Sequence, residues 1–202
     1  MIILNEVISI IDDLESQVIL LAGKRIVAPK DEIKLMQLGE LLANSLPECK
    51  FRSGNARGSD ELFIKGVCKV DPECVELILP FPGHRKETSK NLYALSLDDF
   101  DLVAEPQAVY QTRDMTNNRM VDSYMNGIRD DFSIKASYLI RDNIMVIGSE
   151  KLGLKKASFG IFYDDLDKPM QGGTGYTMKA CTLNLLPFVD QTTWMQWLEE
   201  GI

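Results

Sequence analysis

The sequence predicts an α/β fold: a doubly wound, mainly parallel, Rossmann-like sheet with helices on both faces. Three observations predict it. Short stretches that are apolar on both sides alternate with helical stripes, as where residues 17–21 precede Leu35, Leu38, Leu42 and Leu46. Each stretch ends in a glycine- or proline-bearing loop, and most of those loops lead into a helix start. With 202 residues, 45% hydrophobic and 26% charged, the chain is large enough to bury one core and has the composition of a globular domain.

The elements follow in order. An amphipathic N-terminal helix is expected, capped by Asn5 and carrying Val7, Ile10, Ile11 and Leu14 on one side. Val18-Ile19-Leu20-Leu21 is a buried strand stopped by Ala22-Gly23. Pro29 and Asp31 introduce the leucine-striped helix, and Pro47 ends it. Phe51 lies in a second strand that runs into residues 52–60, and a helix follows with Leu62, Phe63 and Val67 as its apolar face. Residues 75–79 form a third strand, closed by Pro80-Phe81-Pro82-Gly83. Residues 144–148 fit either a strand or a helix end, whereas 157–163 read as a strand. A glycine loop at 172–175 then precedes a helix from about Tyr176 to Leu186, a short strand at 187–189 and a helix holding Trp194 and Trp197. Residues 88–140, rich in Asp, Asn, Met and Tyr, are expected as helices and loops inserted at a sheet edge, an accessory element within one domain spanning 1–202.

Composition narrows the functional classes. No run approaches the length of a membrane span, so no membrane partner is expected. The N-terminus lacks a basic region and soon carries Asp12 and Asp13, unlike a signal peptide. The four cysteines form no C-x-x-C pair and only one histidine is present, so no metal is expected, and buried thiols in a reducing cytoplasm are. A net charge of −8 argues against nucleic acid as a partner, because backbone phosphates are bound by clustered positive charge.

The basic residues are nonetheless unevenly placed. In an open parallel sheet, ligands bind beyond the carboxyl ends of the strands. Four segments fall there: Gly23-Lys24-Arg25; residues 52–60 with Arg52, Ser53, Gly54, Asn55, Ala56, Gly58 and Asp60; Gly83 with Arg85; and Gly172, Gly173, Thr174, Gly175 and Thr177. Arg141 and Asn143 are added as candidates. An acidic chain that gathers Lys24, Arg25, Arg52, Arg57, Arg85 and Arg141 at one edge predicts an anion site. Glycine lets backbone N–H groups approach an oxyanion, and a helix N-terminus behind the loop adds partial positive charge. A single glycine loop would be read as a mere turn; two such loops before helices favour a phosphate. The second loop lacks the G-K-[ST] ending of a P-loop, so neither Mg-ATP hydrolysis nor any cofactor is indicated. His84 is expected to be exposed, with ligand contact as the alternative. Asp60 either caps its helix or bonds a ribose hydroxyl or the glycine loop. Trp194 and Trp197 suit packing in a core or a dimer better than base stacking.

These segments also resemble a known group. Arg52-Ser53-Gly54-Asn55-Ala56-Arg57-Gly58-Ser59-Asp60 resembles the S-G-G-A-x-G-A-D loop of the SLOG superfamily, which contains the Lonely Guy phosphoribohydrolases and the DNA-processing protein A family. Ala22-Gly23-Lys24-Arg25, Arg141-Asp142-Asn143-Ile144-Met145-Val146 and Gly172-Gly173-Thr174-Gly175-Tyr176-Thr177 are similar to further motifs of that group. The resemblance implies a nucleotide-type ligand in the glycine loops. It also implies a departure: aligning the glycines with Gly-Gly-x-Gly-Thr-x-x-Glu puts Tyr176 at the threonine and Lys179 at the catalytic glutamate. A lysine cannot replace that carboxylate as a base at neutral pH.

The expected function is therefore binding of a phosphorylated nucleotide or nucleotide derivative, in a sensing or sequestering role. The alternative is an N-glycosidic hydrolase or deoxyribosyltransferase using Asp60, Glu61 or the Asp164-Asp165 pair. A purely structural protein would need the glycine loops to be empty turns. The apolar terminal helices and the 88–140 segment further predict a homodimer.

Overall fold

The computed structural model describes residues 2–12, 14 and 16–200, the side chain of Glu200 excepted. Strands β1 (Val18–Gly23), β2 (Lys50–Ser53), β3 (Val75–Leu79), β4 (Tyr93–Ser96), β5 (Phe159–Tyr163) and β6 (Phe188–Val189) form one sheet. Their order is β4-β3-β2-β1-β5-β6, and every neighbouring pair is parallel. In the centre, Leu20 of β1 stands beside Arg52 of β2 and Gly160 of β5.

Side chains on a strand alternate between faces, so each central strand feeds two cores. Ile19 and Leu21 of β1 point into one, with Phe51, Leu77 and Ile161. Helices α1 (Leu4–Asp12), α2 (Glu32–Ser45), α3 (Ser59–Cys68) and α9 (Gln191–Glu200) cover it. Val18, Leu20 and Ala22 enter the other core with Ile78 and Phe162. That face is closed by α5 (Pro106–Met115), α6 (Asn118–Met125), α7 (Ile134–Ile147) and α8 (Gly172–Leu183). A single turn, α4 (Lys86–Ser89), joins β3 to β4.

The alternative left open at 144–148 resolves to a helix end: residues 144–147 are the last turn of α7, with Ile144, Met145 and Val146 buried. Two expectations change. The segment 88–140 holds the edge strand β4, and its Val109, Met120, Val121 and Tyr124 complete the second core. The helix expected from Tyr176 opens at Gly172, so the glycine run is itself the first turn of α8.

The terminal helices turn their apolar faces inward. Val7 and Ile11 are fully buried, and Trp194 and Trp197 are 0% and 1% exposed. The indole N–H of Trp194 donates to Phe162 O at 2.8 Å and that of Trp197 to Ile2 O at 3.1 Å. Much of the apolar surface behind the expected homodimer is thus used within the chain, although Ile3, Ile10 and Leu14 stay exposed. Cys49, Cys74 and Cys181 are buried free thiols and Cys68 a half-buried one; burial pushes the Cys49 thiol up to about 12. Among the described residues, no helix is long and apolar enough to cross a membrane.

Candidate functional site

The chain leaves β1 toward α2 on one face of the sheet and leaves β5 toward α8 on the other. Adjacent parallel strands whose connections diverge leave a crevice beyond their carboxyl ends. A cleft of about 900 Å³ opens there, between Gly23-Lys24-Arg25, the start of α3, the middle of α7 and the start of α8.

One wall is the N-terminus of α8. Gln171 precedes it in extended conformation and its side chain does not cap the helix. Gly172, at φ +63°, Gly173 and Thr174 line the cleft with first-turn N–H groups that have no intrahelical acceptor. A β-carbon on Gly173 would meet nothing within 4 Å, so the space beside it is open. Gly175 instead packs on Met170, whose carbonyl carbon would lie 1.9 Å from an added β-carbon.

The floor holds a charged cluster. Arg141 of α7 is 6% exposed, and its Nε lies 3.1 Å from Asp142 Oδ1. Asp60 accepts from Gly23 N at 3.1 Å and from Ala56 N at 3.2 Å, tying the end of β1 to the glycine loop. Asp60 therefore takes the loop-ordering role foreseen as its alternative to capping. Burial raises the Asp60 pKa, while the Arg141 guanidinium opposes the rise. Asp142 is pushed up to about 6 by burial; Arg141 opposes this and neighbouring Asp60 adds to it. Lys24, Arg25 and Lys168 add positive charge around the rim. Lys24 Nζ stands 3.7 Å from Asp165 and 5.3 Å from the Tyr163 ring centroid.

The fold brings together Gly23, Lys24, Arg25, Ala56, Asp60, Arg141, Gly172, Gly173, Thr174 and Thr177 of the anticipated residues. It places the others elsewhere. Arg52 is fully buried: Nε and Nη2 donate to Glu76 at 3.0 and 2.8 Å, and Nη1 to Met145 O at 3.0 Å. Its strand position aims it at α7 beneath the cleft, so its charge holds the core together. Ser53 Oγ donates to Leu21 O at 2.8 Å. Gly54 seats the Arg141 guanidinium, and Gly58, at φ +84°, packs on the backbone of Arg25. Gly83 and Arg85 belong to the neighbouring loop, to which Asn55 of the glycine loop turns, donating to His84 O at 3.3 Å; Arg85 pairs with Glu61 at 2.5 Å and donates to Asn55 O at 3.1 Å. Asn143 links helices, donating to Thr112 Oγ1 at 2.9 Å and Tyr176 Oη at 2.6 Å. Glu61 faces a smaller pocket beyond α3 and is bound by Lys65 and Arg85. Lys179 is exposed on α8 and does not line the cleft, so the aligned glutamate position does not face the ligand space here.

Tyr138, Asp142, Met145, Lys168 and Gln171 line the cleft without having been anticipated, and the Asp164-Asp165 pair, foreseen for the alternative hydrolase or transferase, lines it too. Asp142 stands inside the quoted Arg141-Asp142-Asn143 segment, and only the helix shows that it shares the cleft with Arg141. His84 is half-buried against Phe81 and Tyr138, with ring centroids 5.1 and 5.7 Å away. Burial and the nearby Arg141, Arg85 and Arg25 lower its pKa to about 4, so it is neutral near pH 7. Among the described residues, no group of three or more His, Cys, Asp or Glu is placed to hold a metal ion.

No family model and no curated protein matches the chain in sequence. In fold it is similar to DNA processing protein A from Helicobacter pylori, described for its single-stranded DNA binding mode. The two are 16% identical, with a TM-score of 0.53 over 90% of this chain and 67% of that one. This likeness corrects one expectation. A net charge of −8 argues against nucleic acid as a partner, yet a protein of similar fold is described for its single-stranded DNA binding mode. Net charge averages over the whole surface and does not decide a local contact; in this cleft Lys24, Arg25, Arg141 and Lys168 stand among five aspartates.

Proposed function

We propose that the cleft binds a phosphorylated nucleotide unit, with its phosphate at the N-terminus of α8 and its base toward Tyr138 and Met145. One observation carries the reading: an uncapped glycine helix start opens into the cleft at the crossing point of the sheet, where Lys24, Arg25, Arg141 and Lys168 stand among five lining aspartates. The volume of about 900 Å³ suits a mononucleotide or dinucleotide. The role is binding, as a sensor or a sequestering protein.

A second reading is favoured by the fold likeness to DNA processing protein A: the bound nucleotide is part of a single DNA strand. The two readings differ in length dependence. A free nucleotide saturates the site alone, whereas a strand gains affinity with each added phosphate and loses it steeply with salt. Titration calorimetry against the four nucleoside monophosphates, ADP-ribose, NAD and oligo(dT) of rising length tests both. We expect a monophosphate or dinucleotide to bind with little salt dependence. Tight binding only of oligonucleotides would establish the strand reading, and no binding in the series would refute both.

A further inference from the structure

The first residue beyond β5, Asp164, is 2% exposed and lines the cleft. Both its backbone groups are held by one side chain: Gln191 Oε1 accepts from Asp164 N, and Gln191 Nε2 donates to Asp164 O, each at 2.8 Å. Its Oδ2 accepts from Met170 N at 2.7 Å, and Met170 itself sits at φ +55°, a conformation costly for a side chain of this kind. The residue is thus fixed by three bonds, two on its backbone and one on its carboxylate. Its other oxygen, Oδ1, is buried and has no hydrogen-bond donor among the described residues. A buried acceptor without a donor is costly, and one so firmly held is a prepared contact.

The donor can be narrowed by the nucleotide reading. Arg141 stands against Asp142 and Lys24 beside Asp165, and no cation among the described residues donates to Asp164 Oδ1. The anionic end of the ligand is assigned to the first-turn N–H groups of α8. A ligand that is anionic at one end yet offers Asp164 a neutral donor is a phosphorylated sugar. We propose that Asp164 Oδ1 accepts a hydrogen bond from a ribose hydroxyl of the bound nucleotide, making it the residue that selects a ligand with free sugar hydroxyls. This rests on the nucleotide reading above.

The test compares the four ribonucleoside 5′-monophosphates with their 2′,3′-dideoxy counterparts by calorimetry, on wild type and on Asp164→Asn. Asparagine keeps an oxygen for Met170 N and puts an N–H₂ group in place of the second acceptor. In wild type, at least one ribonucleotide should bind about 10- to 100-fold tighter than its dideoxy partner, as a charge-assisted bond implies. In Asp164→Asn the ratio should fall to within about threefold, with dideoxy affinity kept. Equal ribo and dideoxy binding by wild type overturns the proposal while leaving the nucleotide site standing, and needs no variant to fold. A ratio retained in a folded Asp164→Asn protein also overturns it, by assigning the hydroxyl to another group. If no monophosphate of either series binds, the nucleotide reading fails and this proposal with it.

Discussion

The guanidinium of Arg141 occupies the place where a side chain on residue 54 would begin: a β-carbon added to Gly54 would lie 1.3 Å from Arg141 Nη1. The glycine loop after β2 thus seats a cation from α7, rather than itself wrapping the ligand. Gly54→Ala should displace Arg141 without touching the cleft wall at α8. Nucleotide affinity should fall about tenfold, as for loss of one charge-assisted contact, and calorimetry on the folded variant measures it.

Gly173→Val should separate binding from stability. Nothing lies within 4 Å of the added β-carbon, and the backbone there is not in the left-handed region. The melting temperature should move by no more than a few degrees, while bulk over the first-turn N–H groups removes binding. Wild-type affinity in the folded variant would show that the ligand does not use the α8 terminus.

Arg52→Ala should do the opposite. It strips Glu76, whose side chain is 14% exposed, of its partner and leaves Met145 O without a donor. Urea denaturation should show a loss of about 3 kcal/mol, the range for breaking a buried ion pair. Affinity per folded molecule should be unchanged.

Asp142 makes stability depend on pH. Its pKa in the folded protein is about 6 against an ordinary 3.8, so the folded state binds this proton more tightly than the unfolded chain. Its contribution is fully present below about pH 3.8 and is lost as pH rises through 6, by about 3 kcal/mol. Asp60 shifts in the same direction, so the two titrate as a coupled pair. Asp142→Asn should flatten the fall in stability between pH 4 and about 7 when urea midpoints are compared with wild type. Parallel profiles for the two proteins would place the titrating proton elsewhere.

The fold was largely legible because burial imposes periodicity. Ile19 and Leu21 serve one core while Val18 and Leu20 serve the other, so a strand covered on both faces must be apolar throughout. β4 escaped because Tyr93 is half-exposed at the sheet edge, where Tyr93-Ala94-Leu95-Ser96 needs no such run. Residues 144–147 were ambiguous because the last turn of a helix buried on several sides is as apolar as a strand. In the site, the glycine start of α8, Arg141 and the Lys24-Arg25 turn could be read from residue type, since glycine and clustered basic charge carry meaning before folding.

By itself, then, the sequence determined the parallel architecture, because composition and period are properties of the chain. Direction belongs to tertiary structure. Arg52 and Arg141 are the same residue type, yet strand alternation turns one under the sheet to Glu76 while a helix turn lays the other into the cleft. Asp164 and Asp165 are neighbours, yet the first is clamped and buried and the second meets Lys24 at the rim. Only packing from distant elements, Gln191 on one side and Met170 on the other, decides which carboxylate is left with an oxygen to offer.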